Sequence, residues 1–232
     1  MLTVRGLNVG FGRHTVLHDV DLDLAEGRTL GLVGESGSGK STLAKAVVGM
    51  VKPRSGTITV AAGPRQVQLI PQDPYGSLNP RMTVGQTLAE AIDPKRGRPA
   101  EHGARIAELL ETVALDAQAA DKYPHQFSGG QRQRVAIARA LAVRPALLIA
   151  DEITSALDCS VQAEVLNVLR SLRAQFGLTM LFISHDLAVV RHVSDEIAVM
   201  RAGAIVERAP RDQLFRAPAH AYTQRLLASA LY

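Results

Sequence analysis

Residues 29–42 read TLGLVGESGSGKST, and this stretch decides the fold. Its first six residues are a short apolar run ending in glycine, which predicts a buried strand. From Ser41 the pattern turns helical through STLAKAVVGM. Between them, Gly34–Thr42 matches G-x-x-x-x-G-K-[ST], with the strand before and the helix after that this motif requires. Its glycines, Gly34, Gly37 and Gly39, let the backbone bend so that successive N–H groups point inward at phosphate oxygens. The cradle runs through Gly34, Glu35, Ser36, Gly37, Ser38, Gly39, Lys40, Ser41 and Thr42. The helix beginning near Lys40 adds the positive end of its dipole.

A second stretch, ALLIADEITSALD at 146–158, ends an apolar run on two adjacent carboxylates. Burying a carboxylate is costly unless a cation or hydrogen bonds compensate. Beside a phosphate loop the pair divides its work. Asp151, at the strand end, is expected to hold Mg²⁺ together with Ser41. Glu152, one residue on, is expected to orient or deprotonate the attacking water, while Lys40 reaches the β- and γ-phosphates of a nucleoside triphosphate.

Composition bounds the surroundings. The chain has 232 residues, 47% of them apolar, which suits one sizeable domain with a core. Its formal charge of +4 is spread along the chain with no block of like charge, so a solvated basic surface is expected rather than nucleic-acid binding. A lone cysteine, Cys159, allows no internal disulfide and points to a reducing compartment. No apolar run reaches the roughly 18 residues of a spanning helix, and MLTVRGLNVGFG lacks the apolar stretch of a signal peptide. Any work at a membrane is therefore expected to be peripheral.

Outward from the loop, LTVRGLNVGF and HDVDLDLAEG alternate at period two and predict strands, followed later by GTITV and RQVQLI. From Asp73 to Phe127 the text becomes Pro-, Gly- and Asn-rich and then helical (GQTLAEAI, HGARIAELLETVAL), which predicts a helical insertion at about 73–127. Helix GQRQRVAIARALA, strand ALLIA, helix SVQAEVLNVLRSLRAQF, strand LTMLFIS and helix LAVVRHVS follow. This alternation implies a mostly parallel sheet. EIAVMRAGAIVE predicts a hairpin and YTQRLLASAL a closing helix.

FSGGQRQR at 127–134 opens a helix on a glycine pair, with Ser128 suited to the N-cap and free N–H groups at Gly129 and Gly130. Upstream of the carboxylate strand, S-G-G-Q (Ser128, Gly129, Gly130, Gln131) resembles the signature of ABC transporter ATP-binding subunits, with Phe127 where leucine is usual. Other elements fit the resemblance in order. Phe11 matches the residue that stacks on adenine, Gln72 the glutamine that touches Mg²⁺ or water and reports to the membrane subunit, Asp158 in SALD the D-loop, and His185 in FISHDL the switch histidine on the γ-phosphate. PQDPYGSLNPRMTV, SALDCSVQAEVLNVL, GLTMLFISHDLAVVRHVSDEIAVM and PAHAYTQRLL are similar to the importer branch serving oligopeptides, dipeptides and nickel. Ile153 and Ala221 stand where relatives carry proline, and the short stretch after PAHAYT leaves the subunit type open.

The resemblance implies an α/β P-loop NTPase core of the ABC type, with an N-terminal antiparallel β subdomain and an inserted α-helical subdomain, all within one ATP-binding domain over 1–232. It implies ATP and Mg²⁺ as cofactors. It further implies a head-to-tail pair with a second ATP-binding subunit, a heterodimer being expected and a homodimer open. Integral membrane permease subunits are the other direct partners, and an extracytoplasmic solute-binding protein an indirect one. The subunit would sit peripherally on the cytoplasmic face of the cell (inner) membrane and power solute import, peptide or nickel complex. The competing class is a soluble ABC-type ATPase acting on nucleic acid or ribosomes. One phosphate loop, one signature and no heptad run disfavour it. A P-loop kinase or GTPase leaves S-G-G-Q, SALD and His185 without a role.

Overall fold

Period-two alternation at the N-terminus forms two antiparallel strands, β1 (Leu2–Phe11) and β2 (His14–Leu24), joined by a tight turn at Gly12. The inward set of β1 is Leu2 and Val4, then Leu7 and Val9, so the parity changes in between. The register shifts there, with Gly6 at φ 55°, as a bulge demands. β3 (Thr29–Val33) follows, then α1 (Lys40–Val47), β4 (Ser55–Val60) and β5 (Val67–Ile70). β4 pairs with β1 to complete a three-stranded antiparallel sheet, β2-β1-β4.

The computed structural model describes residues 1–61 and 66–230. The expected strand RQVQLI therefore has Arg65 outside the described residues, and the closing helix has Leu231 outside them.

Later elements are α2 (Pro74–Ser77), α3 (Val84–Ile92), α4 (Gly103–Thr112), α5 (Gly129–Leu141), β6 (Leu147–Asp151), α6 (Cys159–Phe176), β7 (Thr179–Ile183) and α7 (Leu187–Val193). β8 (Glu196–Arg201), β9 (Ala204–Pro210), α8 (Arg211–Arg216) and α9 (Ala221–Ala230) close the chain. A six-stranded sheet runs β5-β6-β7-β3-β8-β9. Its centre, β6, β7, β3 and β8, is parallel, and every residue of β3, β6 and β7 is buried. This is the reason those strands read as unbroken apolar runs rather than alternations. The short helix α8 carries a single buried apolar residue, Leu214, too little periodicity to be expected from sequence.

The chain divides into two units. One comprises residues 1–69, 147–152 and 178 onward, and holds the core from Leu2 through Leu43, Ile149, Ile183 and Met200. The other, residues 70–146 and 153–177, is helical. It extends beyond the insertion expected at 73–127, because α5 and α6 pack with it: a Cβ on Gly130 would stand 2.1 Å from Val161 Cγ1. α3 is closed by a Thr83–Gln86 capping box and buries Val84 and Leu88.

Candidate functional site

In the α/β unit, β3 ends at the phosphate loop. Gly34 turns at φ 157°, Gly37 at 78° and Gly39 at 107°. A Cβ on Gly34 would lie 2.1 Å from the Met200 carbonyl oxygen, so only glycine lets the loop leave its strand so close to β8. α1 starts at Gly39 with no side-chain cap and no acidic residue in its first turn, leaving its first N–H groups available to an anion. Lys40 is buried, and its Nζ donates to the Gly34 carbonyl at 2.7 Å and the Glu35 carbonyl at 2.9 Å. Burial depresses its pKa, and the Glu152 and Asp151 carboxylates act in the opposite direction.

Three neighbouring parallel strands, in the order β6-β7-β3, bring the remaining residues to the same sheet edge. Asp151 pairs in register with Ile183, and Ile183 with Leu32. The carboxyl ends of strands are where open α/β sheets bind ligands. Ser41 Oγ donates to Asp151 Oδ1 at 3.0 Å. Burial raises the Asp151 pKa and the Glu152 charge adds to it, while the Ser41 hydrogen bond and two lysines work downward. Glu152 lies between Lys40 and His185, with Oε1 3.8 Å from Lys40 Nζ and Oε2 3.2 Å from His185 Nδ1. Its backbone sits at φ 49°, unusual for a non-glycine residue, and its N–H donates to the Ile183 carbonyl at 2.9 Å. Such strain at a chemical position costs about 1–3 kcal/mol and persists only where the surroundings enforce it.

The donor set fits Mg²⁺. Ser41 and Asp151 offer hard oxygen atoms side by side, and a buried carboxylate shifted upward by desolvation gains from a cation. Among the described residues no group of three His, Cys, Asp or Glu could hold a metal by itself. Mg²⁺ does not require one, since it keeps waters and shares phosphate oxygens with one or two carboxylates.

The other sequence-selected residues, Phe11 apart, are in the helical unit. Ser128 caps α5 in a capping box with Gln131: Ser128 Oγ accepts from Gln131 N at 3.3 Å, and Gln131 Oε1 from Ser128 N at 3.0 Å. Phe127 is buried, so its aromatic ring fills an apolar place just before the start of α5. Asp158 caps α6, accepting from Val161 N and Ser160 Oγ, and these bonds hold its carboxyl below the usual range. Gln72 Nε2 donates to Ser155 Oγ at 3.3 Å. Ile153 is buried in that unit as an apolar side chain. In the α/β unit, Phe11 is exposed beside the Gly12 turn.

Two supports of the site were not evident in the sequence. The two-residue turn Ala202–Gly203 joining β8 and β9 lies beneath the loop: Gly203 N donates to the Ser38 carbonyl at 2.9 Å and its own carbonyl accepts from His18 N at 2.9 Å. Gly203 (φ 82°) has no room for a Cβ, which would fall 2.1 Å from the Val16 carbonyl oxygen. Arg54 secures the turn after Phe11, donating to the Gly12 carbonyl at 2.6 Å and to Thr15 Oγ1 at 3.0 Å. The hairpin itself was expected from EIAVMRAGAIVE, but not the contact of its turn with the loop. No local pattern announced the second.

Comparison with known proteins supports the geometry. The profile of the family described as ABC transporter matches residues 17–155. The chain is 46% identical to the oligopeptide transport ATP-binding protein OppF of Bacillus subtilis (strain 168), over 94% of this chain and 77% of that protein. It is 47% identical to a putative peptide import ATP-binding protein of Brucella abortus (strain 2308), over 97% and 74%. Among solved structures it is similar to cbiO1 from Clostridium perfringens, part of the ABC transporter complex cbiONQ, with TM-score 0.83, 27% identity and coverage of 93% and 90%. It is also similar to the dimeric ATP-binding cassette MJ0796 in a post-hydrolysis state bound to ADP and Pi, with TM-score 0.79, 28% identity and coverage of 91% and 99%. With a phosphate loop, a paired carboxylate and an S-G-G-Q helix start in one α/β fold, the chain belongs to the ABC transporter family, as one of its ATP-hydrolysing ATP-binding subunits.

Proposed function

We propose that the chain is one ATP-binding domain that powers the uptake of a peptide-class solute through membrane permease subunits, working at the cytoplasmic face of the membrane. The observation that carries the ATPase part is the convergence of Lys40, Ser41, Asp151, Glu152 and His185 at one sheet edge. The solute class rests on identity to subunits named for peptide transport, which favours peptide over nickel and import over action on nucleic acid or ribosomes.

On this reading, the phosphate-loop N–H groups, the α1 N-terminus and Lys40 bind the triphosphate, and Phe11 stacks on the adenine. Ser41 and Asp151 would hold Mg²⁺, which supplies charge neutralisation on the phosphates. Glu152 accepts a proton from the attacking water, and His185, already within hydrogen-bonding distance of that carboxylate, orients it. Ser128, Gly129, Gly130 and Gln131 present a second helix N-terminus to the γ-phosphate of a nucleotide bound by a partner subunit, with Asp158 beside that contact and Gln72 reporting to the permease. The dimeric MJ0796 cassette supports pairing of this kind. The test is uptake of a labelled peptide by cells carrying the assembled transporter. Wild type restores ATP-dependent uptake to a deletion strain, and Glu152→Gln does not. Restoration of metal but not peptide uptake would overturn the solute assignment.

A further inference from the structure

The segment PAHAYTQRLL, residues 218–227, carries part of the resemblance to importers yet has no role in the chemistry above. It is folded against the phosphate loop. The Glu207 carboxylate of β9 accepts from Ala219 N at 2.8 Å and His220 N at 3.0 Å, and His220 Nδ1 accepts from Tyr222 N at 3.0 Å. Tyr222 is thereby set at the start of α9, buried, with the Arg201 guanidinium 5.0 Å from the centre of its ring. Its hydroxyl accepts from Glu35 N at 3.3 Å.

That N–H and the Gly34 carbonyl belong to the same planar peptide group. The carbonyl end accepts from Lys40 Nζ at 2.7 Å, so a single peptide plane is held by Tyr222 on one side and Lys40 on the other. Rotating that plane moves both contacts together, and each bond polarises the peptide in favour of the other.

We propose that Tyr222 is a positioning residue for nucleotide binding: its hydroxyl fixes the Gly34–Glu35 peptide plane and, through it, the Lys40 ammonium. The C-terminal segment then sets the affinity of the loop for a nucleoside triphosphate. This rests on the nucleotide-binding reading of the loop, and the test separates the two.

Binding of a fluorescent ATP analogue with Mg²⁺ is titrated on the full chain, and exchange of the Glu35 amide is followed by NMR. Tyr222→Phe keeps the ring and its stacking, and raises Kd about 3- to 10-fold, the worth of one hydrogen bond, with faster Glu35 exchange. Unchanged Kd and unchanged exchange overturn the proposal. Arg201→Met removes the cation but keeps the phenol, and leaves Kd within about twofold. A loss equal to that of Tyr222→Phe overturns the proposal, because ring packing would then hold the loop. Should Tyr222→Phe not fold, Glu207→Gln loosens the segment with Tyr222 intact. Its Kd rises in the same direction, and an unchanged value is again fatal. Lys40→Ala removes binding. If it binds ATP as wild type does, the nucleotide reading has failed, whatever Tyr222 does.

Discussion

The two units assemble their polar groups in opposite ways. In the α/β unit the partners come from far apart in the sequence: Ser41 and Asp151 are separated by 110 residues and meet at 3.0 Å, and Glu152 and His185 by 33 and meet at 3.2 Å. In the helical unit the residues selected at helix starts bond to their near neighbours, Ser128 with Gln131 and Asp158 with Ser160 and Val161, whereas Gln72 reaches a distant partner, Ser155. The first set is built by folding, and folding brings buried charges that shift one another. The second set is complete as helix caps and, on the proposed reading, acquires chemistry only when another chain's nucleotide arrives.

That contrast can be broken at several points. The largest effect is expected from Glu152→Gln, which lowers kcat for ATP hydrolysis by about 10²–10⁴-fold while ATP binding persists. Steady-state turnover beside a binding titration checks it, and unchanged turnover would remove Glu152 from its role. Next is Gly129→Asp, where a Cβ meets only Leu157 Cδ2 at 3.5 Å, so the side chain fits. A negative charge at this helix start lowers hydrolysis by about 10²-fold and leaves ATP affinity and melting of the isolated chain unchanged. Loss of affinity in the isolated chain would merge the two regions into one site.

Gly203→Ala forces a Cβ against the Val16 carbonyl oxygen in a left-handed turn. It costs about 1–3 kcal/mol. Calorimetry reads this as a melting midpoint lower by about 2–4 °C per kcal/mol. Asp151→Asn is the mildest, and it raises stability. Burial lifts the Asp151 pKa, so the folded carboxyl holds its proton where the unfolded one releases it, and ionisation weighs against the fold. Asparagine removes that cost. The nucleotide-free variant therefore melts higher than wild type above the folded-state pKa, and the advantage fades as pH falls towards the ordinary aspartate range. Melting scans across acidic to neutral pH check the sign.

Legibility followed the same division. The phosphate loop, the strand ending at Asp151 and the helix start at Ser128 were readable because each signal is contained in about ten residues of text. The burial of β3, β6 and β7 could likewise be read from their unbroken apolar runs. What joins distant segments was not readable. Gly203 beneath Ser38, Tyr222 on Glu35 and Arg54 across the Gly12 turn are pairings between short segments that look ordinary alone. The bulge at Gly6 and the reach of the helical unit over α5 and α6 were hidden likewise, since strand register and helix packing are tertiary decisions.

The strand order β7-β3-β8 has a consequence in time. β3 leaves the ribosome early, but its two neighbours are Thr179–Ile183 and Glu196–Arg201, and the turn beneath the loop is Ala202–Gly203. Synthesis at about 5–20 residues per second separates the loop from its supports by roughly ten seconds or more. Through that interval the nascent chain carries an apolar strand with both hydrogen-bonding edges open. A central phosphate loop therefore entails a long wait, during which the N-terminal sheet β2-β1-β4 is complete in sequence by Val60 but still lacks the core partners Ile149, Ile183 and Met200.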